Sequence, residues 1–436
     1  MATFKWKSQH TALAMVFMIW MISYLDRMVM FTAIPYIADE YNLSTGAMGA
    51  VMSAFFFGYA ICQIPGGILS DRYGARITLT IGIVWWSIFT FVTGMASGLT
   101  ALIFIRVLFG LGEGLAPAAT FKTIATWTPP SKRGFANAVM LSTNSLGPAL
   151  APLFVVAIMS AFGWRTVFSA LALPGLIVAA WFWFTLPENP KDKKGITQEE
   201  LDELSGTAES AAATEIPARK LSFFEVVRLA PVWKSFLLLF FSNTSVWGFM
   251  SWLPNYLKAN RGLDMTSMGI VASLPFFAGF IGALVSGWLI DGPFKNSKRL
   301  LVGTLQVCMA IFLYLMYTST DLSTLVVFNT IAGFFCGCCL TTTFNMPALL
   351  VPKEIIGQTM GIVNTGGQLA AFSAPIIMGL LIYTNDVGLQ IYDTAFGYIC
   401  LCNLAAAVVI TLFKSGNTAK AHYRAEPERS EAPAQG

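Results

Sequence analysis

The sequence predicts an all-α membrane protein with twelve transmembrane helices in two six-helix halves. Three observations predict this fold class: the composition, a series of apolar stretches and an internal repeat. Of the 436 residues, 56% are hydrophobic and 11% are charged, whereas an ordinary soluble domain carries about 25% charged residues. The composition excludes a soluble enzyme, and the lipid bilayer is the expected surroundings. A net charge of +4 without a basic stripe also excludes nucleic acid as a partner.

Twelve stretches have the roughly 20 mainly apolar residues that a helix needs to cross a bilayer. They lie near 11–37, 46–69, 77–97, 101–121, 135–161, 166–186, 232–257, 267–290, 300–319, 323–346, 357–383 and 391–413. The first six fall within an N-terminal half, 1–186, and the last six within a C-terminal half, 231–413. The linker between them, 187–230, carries fifteen charged residues and is expected to be cytoplasmic, with a short helix around 197–205. The polar tail 414–436 is expected to be disordered.

Basic residues in the short connections predict the orientation. With an even number of spans both termini lie on one side, and the loops on that side contain Arg72, Arg76, Lys132, Arg133, Lys295, Lys298, Arg299 and Lys353. The opposite loops contain only Arg165, Lys258 and Arg261. Because positively charged loops stay in the cytoplasm, both termini are expected there. The expected location is a plasma membrane, which in a bacterium is the inner membrane.

The two halves share a weak internal repeat. Gly67-Ile-Leu-Ser-Asp71 after span two resembles Gly287-Trp-Leu-Ile-Asp291 after span eight, at an offset of 220 residues. Pro129, Gly134 and Pro152 match Pro352, Gly357 and Pro375 at an offset of 223. Duplicated transporters bind substrate between their halves near the middle of the bilayer and alternate access by rocking one half on the other. The repeat therefore predicts a substrate site between the halves.

A loop motif follows span two, Gly67-Ile-Leu-Ser-Asp71-Arg72-Tyr-Gly74-Ala-Arg76. Asp71, Arg72 and Arg76 sit at cytoplasmic helix ends, where they can form a charge latch that is made in one conformation and broken in another. Gly67 and Gly74 allow close helix approach and a tight turn. The alternative is an ordinary basic cytoplasmic loop. The motif resembles the loop between spans two and three of the major facilitator superfamily, and the resemblance implies the twelve-helix fold of that superfamily.

Four ionisable residues lie at membrane depth, where charge is costly and is a functional-site candidate by default. They are Asp26 and Arg27 in span one, and Arg106 and Glu113 in span four. Seven residues separate Arg106 from Glu113, so both lie on one helix face, about 10 Å apart along the axis. That separation is long for a direct pair, and each is expected to engage a charge of span one. The alternative is a static ion-pair network that only fixes helix packing.

The chemistry of the two residue types suggests separate roles. A buried carboxyl can exchange a proton, because a low dielectric favours its neutral form and a neighbouring arginine favours its charged form. Arginine keeps its charge and presents a planar fork of donors that suits a carboxylate. Asp26 and Glu113 are therefore the candidates for proton coupling, and Arg27 and Arg106 the candidates for binding an anion. The four charges sum to zero, so the site could gain a proton when a substrate anion enters.

The second half carries uncharged residues at the corresponding positions. At the offset of 223, the four charged residues correspond to Phe249, Met250, Asn329 and Cys336, so proton coupling is expected in the N-terminal half. Candidates for hydrogen bonds to a polar substrate are Tyr24, Tyr59 and Gln63 in the first half and Asn243, Asn364 and Gln368 in the second, with Asn144 a weaker one. Asn364 and Gln368 share a helix face. The alternative for each candidate is a hydrogen bond between helices.

Three motifs narrow the resemblance: Tyr24-Leu-Asp26-Arg27, Gln63-Ile-Pro-Gly-Gly67 and Arg106-Val-Leu-Phe-Gly110-Leu-Gly-Glu113-Gly114. They resemble the anion:cation symporter family, which includes bacterial sugar-acid and proton symporters and organic-anion carriers of vesicles and lysosomes. The resemblance implies carboxyls that carry protons and a span-one arginine that binds the substrate carboxylate. One departure is Gly114-Leu-Ala-Pro117, because sugar-acid members more often carry Ala-Pro directly after the acidic residue. A substrate other than a hexonate therefore stays open.

The sequence predicts an importer of a small organic anion, a sugar acid or other carboxylate, driven by proton symport with alternating access. Facilitated or exchange transport without proton coupling is the alternative, and a non-transporting membrane sensor is a remote one. No enzyme is expected, since no nucleophile, metal cluster or phosphate loop stands out. Cys336, Cys338 and Cys339 are expected to pack between helices instead of binding a metal. No cofactor is expected, and the chain is expected to function as a monomer.

Overall fold

The computed structural model describes residues 6–205, 223–350 and 356–413, which are almost entirely helical. The N-terminal half contains α1 (Ser8–Tyr41), α2 (Thr45–Tyr73), α3 (Ala75–Thr93), α4 (Leu99–Gly114), α5 (Ala116–Trp127) and α6 (Arg133–Thr185). The linker contains α7 (Gln198–Ser205) and α8 (Phe223–Val227). The C-terminal half contains α9 (Ala230–Ala259), α10 (Met265–Asp291), α11 (Lys298–Thr318), α12 (Leu322–Leu350), α13 (Ile356–Leu381) and α14 (Asp393–Thr411). A short antiparallel hairpin, β1 (Tyr383–Thr384) with β2 (Gln390–Ile391), precedes α14.

The helix lengths account for twelve crossings. Ten helical segments of the described chain are long and apolar enough to span a membrane. One of them, Pro130–Thr185, has 56 residues and breaks into two crossings at Gly163, whose φ of 77° favours glycine. α13, with 26 residues, is the twelfth. The predicted fold class is confirmed, and α7 is the helix expected around 197–205. Pro352, Lys353 and the tail 414–436 lie outside the described residues.

Span four departs from the prediction of one continuous helix. It consists of α4 and α5, with Leu115 between them. Pro117 explains the break, because its nitrogen has no hydrogen to donate to the carbonyl of Glu113 four residues earlier. The Leu115 N–H bonds instead to the Gly112 carbonyl at 3.2 Å, which is a tighter turn. The break therefore falls directly after one of the four buried charges.

The two halves touch at the end of the bundle that carries the α1–α2 and α9–α10 connections. Lys258 of α9 donates to the Pro35 carbonyl of α1 at 3.0 Å and forms an ion pair with Asp39. The Thr45 hydroxyl of α2 donates to the Ile382 carbonyl, which follows α13, at 3.2 Å. These contacts join α1 to α9 and α2 to α13. We call this end of the bundle the closed end.

The opposite end carries the N-terminus and the linker. Lys7 forms an ion pair with Glu203 of α7, and the Ser8 hydroxyl donates to Glu200 at 2.8 Å, so the linker helix is attached to the start of α1. Among the residues described, no hydrogen bond or ion pair joins the two halves at this end. The side chain of Asp71, which lies here at the end of α2, is 86% exposed. We call this the linker end.

Candidate substrate and proton site

The four charged residues of spans one and four meet inside the N-terminal half. Asp26 and Arg27 lie midway along α1, and Arg106 and Glu113 lie on α4. Each of the four is at most 4% exposed. Burial of four ionisable side chains in one cluster is costly unless they interact with one another. Their partners therefore decide what the cluster can do.

Two groups of α1 hold Glu113. The Arg27 Nε lies 3.0 Å from each carboxylate oxygen of Glu113, and the Ser23 hydroxyl donates to the same carboxylate. Glu113 thus engages a charge of span one, as its distance from Arg106 along α4 predicts. Ser23 is a residue that sequence reasoning missed. Its position four residues before Arg27, on the same helix face, is the signal that identifies it.

Aromatic rings surround the Arg27 guanidinium. Its Cζ lies 4.8 Å from the ring centre of Tyr59, 4.9 Å from that of Tyr24, 5.1 Å from Phe55 and 5.9 Å from Trp20. Ring faces attract a cation and restrict the plane of the guanidinium. The buried Nη2 atom has no hydrogen-bond partner within the described chain. Because a buried donor without a partner is costly, this nitrogen is available to an anion.

Asp26 and Arg106 lie near each other without an ion pair. Neither carboxylate oxygen of Asp26 has a hydrogen-bond partner among the described residues, although the Thr90 hydroxyl faces it. The Arg106 guanidinium lies 4.4 Å from the Phe109 ring and 5.4 Å from the Phe55 ring. Arg106 engages the charge of Asp26 in span one without forming an ion pair, because these rings hold its guanidinium. An uncompensated buried carboxylate is costly, and binding a proton removes its charge.

One amide side chain of the C-terminal half contacts the N-terminal half. The Asn364 amide of α13 donates to the Gln63 side-chain carbonyl of α2 at 3.4 Å, across the boundary between the halves. Asn243 of α9 lies beside Gly367, and its buried Oδ1 has no hydrogen-bond partner in the described part of the chain. Gln368 is half-buried on the same helix as Asn364. The structure therefore brings Gln63 and Asn364 together across the boundary between the halves, and Asn243 contacts α13 within the C-terminal half.

Aromatic contacts complete the boundary between the halves. The ring centres of Phe56 and Trp247 are 4.8 Å apart, and those of Phe57 and Phe372 are 6.0 Å apart. Nothing in the sequence distinguishes these residues, because aromatic side chains are common throughout the spans. Asn144 of α6 is exposed, and the structure does not bring it into the charge cluster.

The charged residues of the loop motif make separate contacts. Asp71 pairs with Lys122 of α5 at 3.6 Å. Arg76 donates from Nε to the Trp183 carbonyl at 3.1 Å and stacks on the Trp183 ring. Within the described residues, no ion pair joins Asp71 to Arg72 or Arg76 in this conformation. Lys122 is a partner that sequence reasoning missed, because it lies two helices away from the motif.

Glu188, at the end of the last N-terminal crossing, caps the helix that follows the motif. Its carboxylate oxygens accept from the Ala75 and Arg76 backbone N–H groups, each at 2.8 Å. A carboxylate at a helix N-terminus satisfies unpaired donors and interacts favourably with the helix dipole. Glu188 was not predicted, because 113 residues separate it from Ala75. In the N-terminal half, a carboxylate of the chain itself therefore occupies the N-terminus of α3.

Two glycines of the motif region explain its tight geometry. Gly74 has a φ of 96°, and a Cβ there would lie 2.4 Å from the Glu188 carboxyl carbon, so the predicted tight turn is present. The predicted close approach at Gly67 is wrong, since the nearest atom to a Cβ there is 3.9 Å away. The close approach is at Gly66, where a Cβ would lie 2.8 Å from the Leu115 Cα. Adjacent residues point in different directions around a helix, so the close contact falls at Gly66 and not at its neighbour Gly67.

The clustered cysteines are buried in α12. Cys336, Cys338 and Cys339 are at most 5% exposed, and the Cys338 thiol donates to the Gly282 carbonyl at 3.2 Å. In the part of the chain that the structure describes, no group of three or more His, Cys, Asp or Glu side chains could hold a metal ion. These thiols therefore pack one helix against another.

The chain matches the family model of the Major Facilitator Superfamily over residues 16–320 and 295–435. It is 30% identical to a probable sulfoacetate transporter of Cupriavidus necator, over 93% of this chain and 95% of that protein. It is 35% identical to the hexuronate transporter of Bacillus subtilis, over 67% of each chain, and 28% identical to a probable galactarate/D-glucarate transporter of Escherichia coli, over 95% and 96%.

Solved structures show the same fold. The inward-open xylose transporter of Escherichia coli superposes with a TM-score of 0.74 at 15% identity, covering 95% of this chain and 99% of that one. A bacterial homologue of the lysosomal transporter Spinster superposes with a TM-score of 0.69 at 17% identity, covering 96% and 97%. At these identities the likeness concerns the fold. The family and the relatives are named as transporters, which agrees with the prediction that the chain is not an enzyme.

Proposed function

Because the chain belongs to the Major Facilitator Superfamily, we propose that it imports a small organic anion together with protons by alternating access. The environment of Arg27 carries the proposal. Glu113 engages the Nε of its guanidinium, four aromatic rings surround it, and Nη2 has no partner among the described residues. A guanidinium in this state can bind a second anion. The proposed substrates are carboxylates and sulfonates, because relatives are named as carriers of sulfoacetate, hexuronate and glucarate.

Competition for Arg27 supplies the coupling. While Glu113 is charged, it neutralises the guanidinium and reduces its attraction for a substrate anion. A proton on Glu113 removes that competition, so the arginine can turn to the substrate. One proton for each monoanion also keeps the total charge of the cluster unchanged, which matters in a medium of low dielectric. Substrate and proton therefore favour each other's binding.

Asp26 is the second candidate for a proton. Its carboxylate lacks an ion pair, and the Arg106 guanidinium beside it is held by rings and has a buried Nε without a partner among the described residues. A proton on Asp26 would free Arg106 for a second negative group. A change in the rotamer of Arg106 would instead close an Asp26–Arg106 pair. We assign Arg106 an electrostatic role toward both carboxyls and Arg27 the direct contact with substrate.

The proposed pathway leads from the closed end to the linker end. In the orientation that the basic loops predict, the linker end and both termini face the cytoplasm of a bacterial inner membrane. Contacts of Lys258 and Thr45 then close the outer face, and the site is proposed to open toward the cytoplasm. This is the state in which an importer releases its substrate. Asp71, Arg72 and Arg76 are proposed to latch the linker end in the opposite state.

The amides at the interface of the halves are proposed to bind the uncharged part of the substrate. Gln63 and Asn364 already touch, and Asn243 retains an acceptor without a partner in the described part of the chain. Tyr24, Tyr59 and Gln368 are proposed to add hydrogen bonds from neighbouring turns. A ligand held by both halves can transmit its binding to their relative motion. We propose that the chain functions as a monomer.

Proteoliposomes test the proposal directly. Purified protein is reconstituted, and uptake of radiolabelled sulfoacetate, glucuronate, glucarate and a short aliphatic monocarboxylate is measured with an inward proton gradient and again after a protonophore. We expect at least one substrate to accumulate against its gradient only while the proton gradient exists. Uptake that the protonophore does not reduce would contradict proton symport and favour facilitated or exchange transport. Absence of uptake and of binding for all four classes would overturn the organic-anion assignment.

A further inference from the structure

A groove runs along the bilayer-facing surface of the C-terminal half between α11 and α14. Its volume is about 680 Å³. Gly303 on α11 and Ala407 on α14 line its middle, where small side chains leave room. Val307, which also lines it, is 37% exposed, as expected for a surface that contacts lipid. The groove is apolar along most of its length, and its chemistry changes at one end.

The end of the groove at the start of α11 is polar and basic. Ser297 and Arg299 line it, and Lys295 and Lys298 lie next to them in the chain. No carboxylate among the described residues lies within ion-pair distance of these three cations. Ser297 is the N-cap residue of α11, and its side chain makes no capping hydrogen bond. It therefore does not compensate the positive end of the helix dipole. Positive charge above an apolar groove is complementary to an anionic lipid.

The N-terminal half fills the matching position with its own carboxylate. At the repeat offset of 223, Arg76 of α3 corresponds to Arg299 of α11. Both arginines donate to a backbone carbonyl near the end of the last helix of their half, at Trp183 and Phe413. In the N-terminal half, Glu188 accepts from the first two N–H groups of α3. The space remaining beside Glu188 is only about 10 Å³.

We propose that an anionic phospholipid occupies the groove between α11 and α14. Its phosphate binds at Lys298 and Arg299, and an acyl chain lies along Gly303 and Ala407. Thr411, at the end of α14, lines the groove and carries no charge. The lipid phosphate therefore supplies the anion that the N-terminal half provides from its own chain. Basic pockets between transmembrane helices are established chemistry for anionic headgroups.

Native mass spectrometry of the full-length protein tests the site. After removal of co-purified lipid, the protein is titrated with dioleoylphosphatidylglycerol or, as the neutral comparison, dioleoylphosphatidylcholine. We expect one molecule of the anionic lipid to be retained about tenfold more strongly than the neutral lipid. The double variant Lys298→Gln/Arg299→Gln is expected to lose about tenfold in retention, since each basic residue near a headgroup adds attraction. Lys191→Gln/Lys194→Gln, two exposed linker cations away from the groove, is the matched control and should bind as wild type.

A second variant keeps the proposal testable if the double variant fails to fold. Thr304→Trp fills the groove from an exposed position and leaves every cation in place, so it should also weaken retention of the anionic lipid. Equal retention of both lipids by wild type, or full retention by Thr304→Trp, would overturn the proposal.

Photocrosslinking identifies the occupant. In the full chain, p-benzoylphenylalanine replaces Val307, the protein is placed in phosphatidylglycerol nanodiscs, and irradiated samples are digested and sequenced by mass spectrometry. Lipid adducts at position 307 are expected. Crosslinks to peptides of 414–436, which follow α14 beside the groove, would assign the groove to the protein's own tail and overturn the lipid proposal.

Discussion

The two halves place polar groups in their interiors in opposite ways. The N-terminal half buries four ionisable side chains in one cluster, tied together by the Arg27–Glu113 pair. The C-terminal half buries uncharged groups instead. There the Gln306 amide donates to the Ser242 hydroxyl at 2.8 Å and to Thr343 at 3.2 Å, and the Asn403 amide donates to Ser245 at 2.6 Å. Among the described residues, buried groups that can change charge on binding a proton near neutral pH therefore lie in the N-terminal half.

This difference assigns the two halves different tasks. A layer of amides and hydroxyls keeps its hydrogen bonds at every ordinary pH, so we propose that the C-terminal half is a fixed framework that offers donors and acceptors to a ligand. A layer of carboxyls and arginines changes its interactions with each proton. Because Gln63 and Asn364 touch across the boundary, a ligand bound there contacts both kinds of layer. Coupling then requires no second proton site in the C-terminal half.

The largest expected effect tests whether coupling belongs to the N-terminal half. Glu113→Gln should abolish accumulation driven by a proton gradient while sparing counterflow of substrate. Glutamine has nearly the shape of a protonated glutamate, so it mimics one state of the proton cycle and cannot reach the other. Gradient-driven uptake and counterflow are measured in the same proteoliposomes. Asp386→Asn, an exposed carboxyl in the hairpin, is the control. Normal accumulation by Glu113→Gln would leave Asp26 as the only carrier among the four charged residues.

The next effect concerns the anion-binding arginine. Arg27→Lys should fold, because a positive charge remains at this position, yet it should lose roughly 100-fold in transport through misplacement of the donors. An ammonium cannot engage Glu113 and also present a flat donor edge to a second anion. Substrate affinity is measured by scintillation proximity on purified protein. Unaltered affinity would reduce Arg27 to a structural role. Arg106→Lys serves as the comparison and should affect pH dependence more than affinity.

The sequence predicted the architecture because its signals are local. Span lengths, the basic loops and the four charges in apolar stretches are visible within a few turns of helix, and they survive folding. The break after Glu113 is also local, since Pro117 lies four residues on. Contacts between distant segments were not visible. The Glu188 cap on α3, the Lys122 partner of Asp71 and the ring cluster around Arg27 depend on how helices cross, which residue types alone do not determine.

A middle-sized effect concerns the contact between the halves. Lys258→Gln should open the closed end more often, because it removes the ion pair with Asp39 and the cation over the Tyr36 ring, 4.1 Å away. An exposed ion pair is worth about 0.2 to 1 kcal/mol, so the open population should rise by roughly 1.4- to fivefold. Spin labels at Asn42 and Val387 report the separation by pulsed electron resonance. Lys234→Gln, at the other end of α9, is the control. An unchanged distance distribution would contradict the gate.

A smaller effect concerns the loop motif. Asp71→Asn should slow turnover by about two- to threefold and leave substrate affinity unchanged, since the residue lies at the linker end. Its side chain is 86% exposed and its pair with Lys122 spans 3.6 Å, so the lost attraction is weak. Initial rates are measured at matched membrane levels. Equal rates for variant and wild type would remove the latch from the transport cycle.

The smallest expected effect concerns the attachment of the linker helix to the N-terminal half. The hydrogen bond from Lys7 holds the pKa of Glu203 below its ordinary value, and the same bond raises the pKa of Lys7. The carboxylate therefore stabilises the contact above the ordinary glutamate pKa and loses it as the pH falls through the lowered value. The lysine stabilises the contact below its ordinary pKa and loses it as the pH rises through the raised value.

Both pKa shifts predict that α7 stays attached to the start of α1 at neutral pH. Spin labels at Thr11 and Gln198 should give one short distance between about pH 5 and pH 9, with detachment only in stronger acid. Lys7→Gln should broaden the distance distribution at every pH and leave transport within twofold of wild type, since the contact lies within the N-terminal half and its linker and can move with that half as one unit. A transition near neutral pH would contradict this account and implicate the neighbouring His10, whose ordinary pKa lies there.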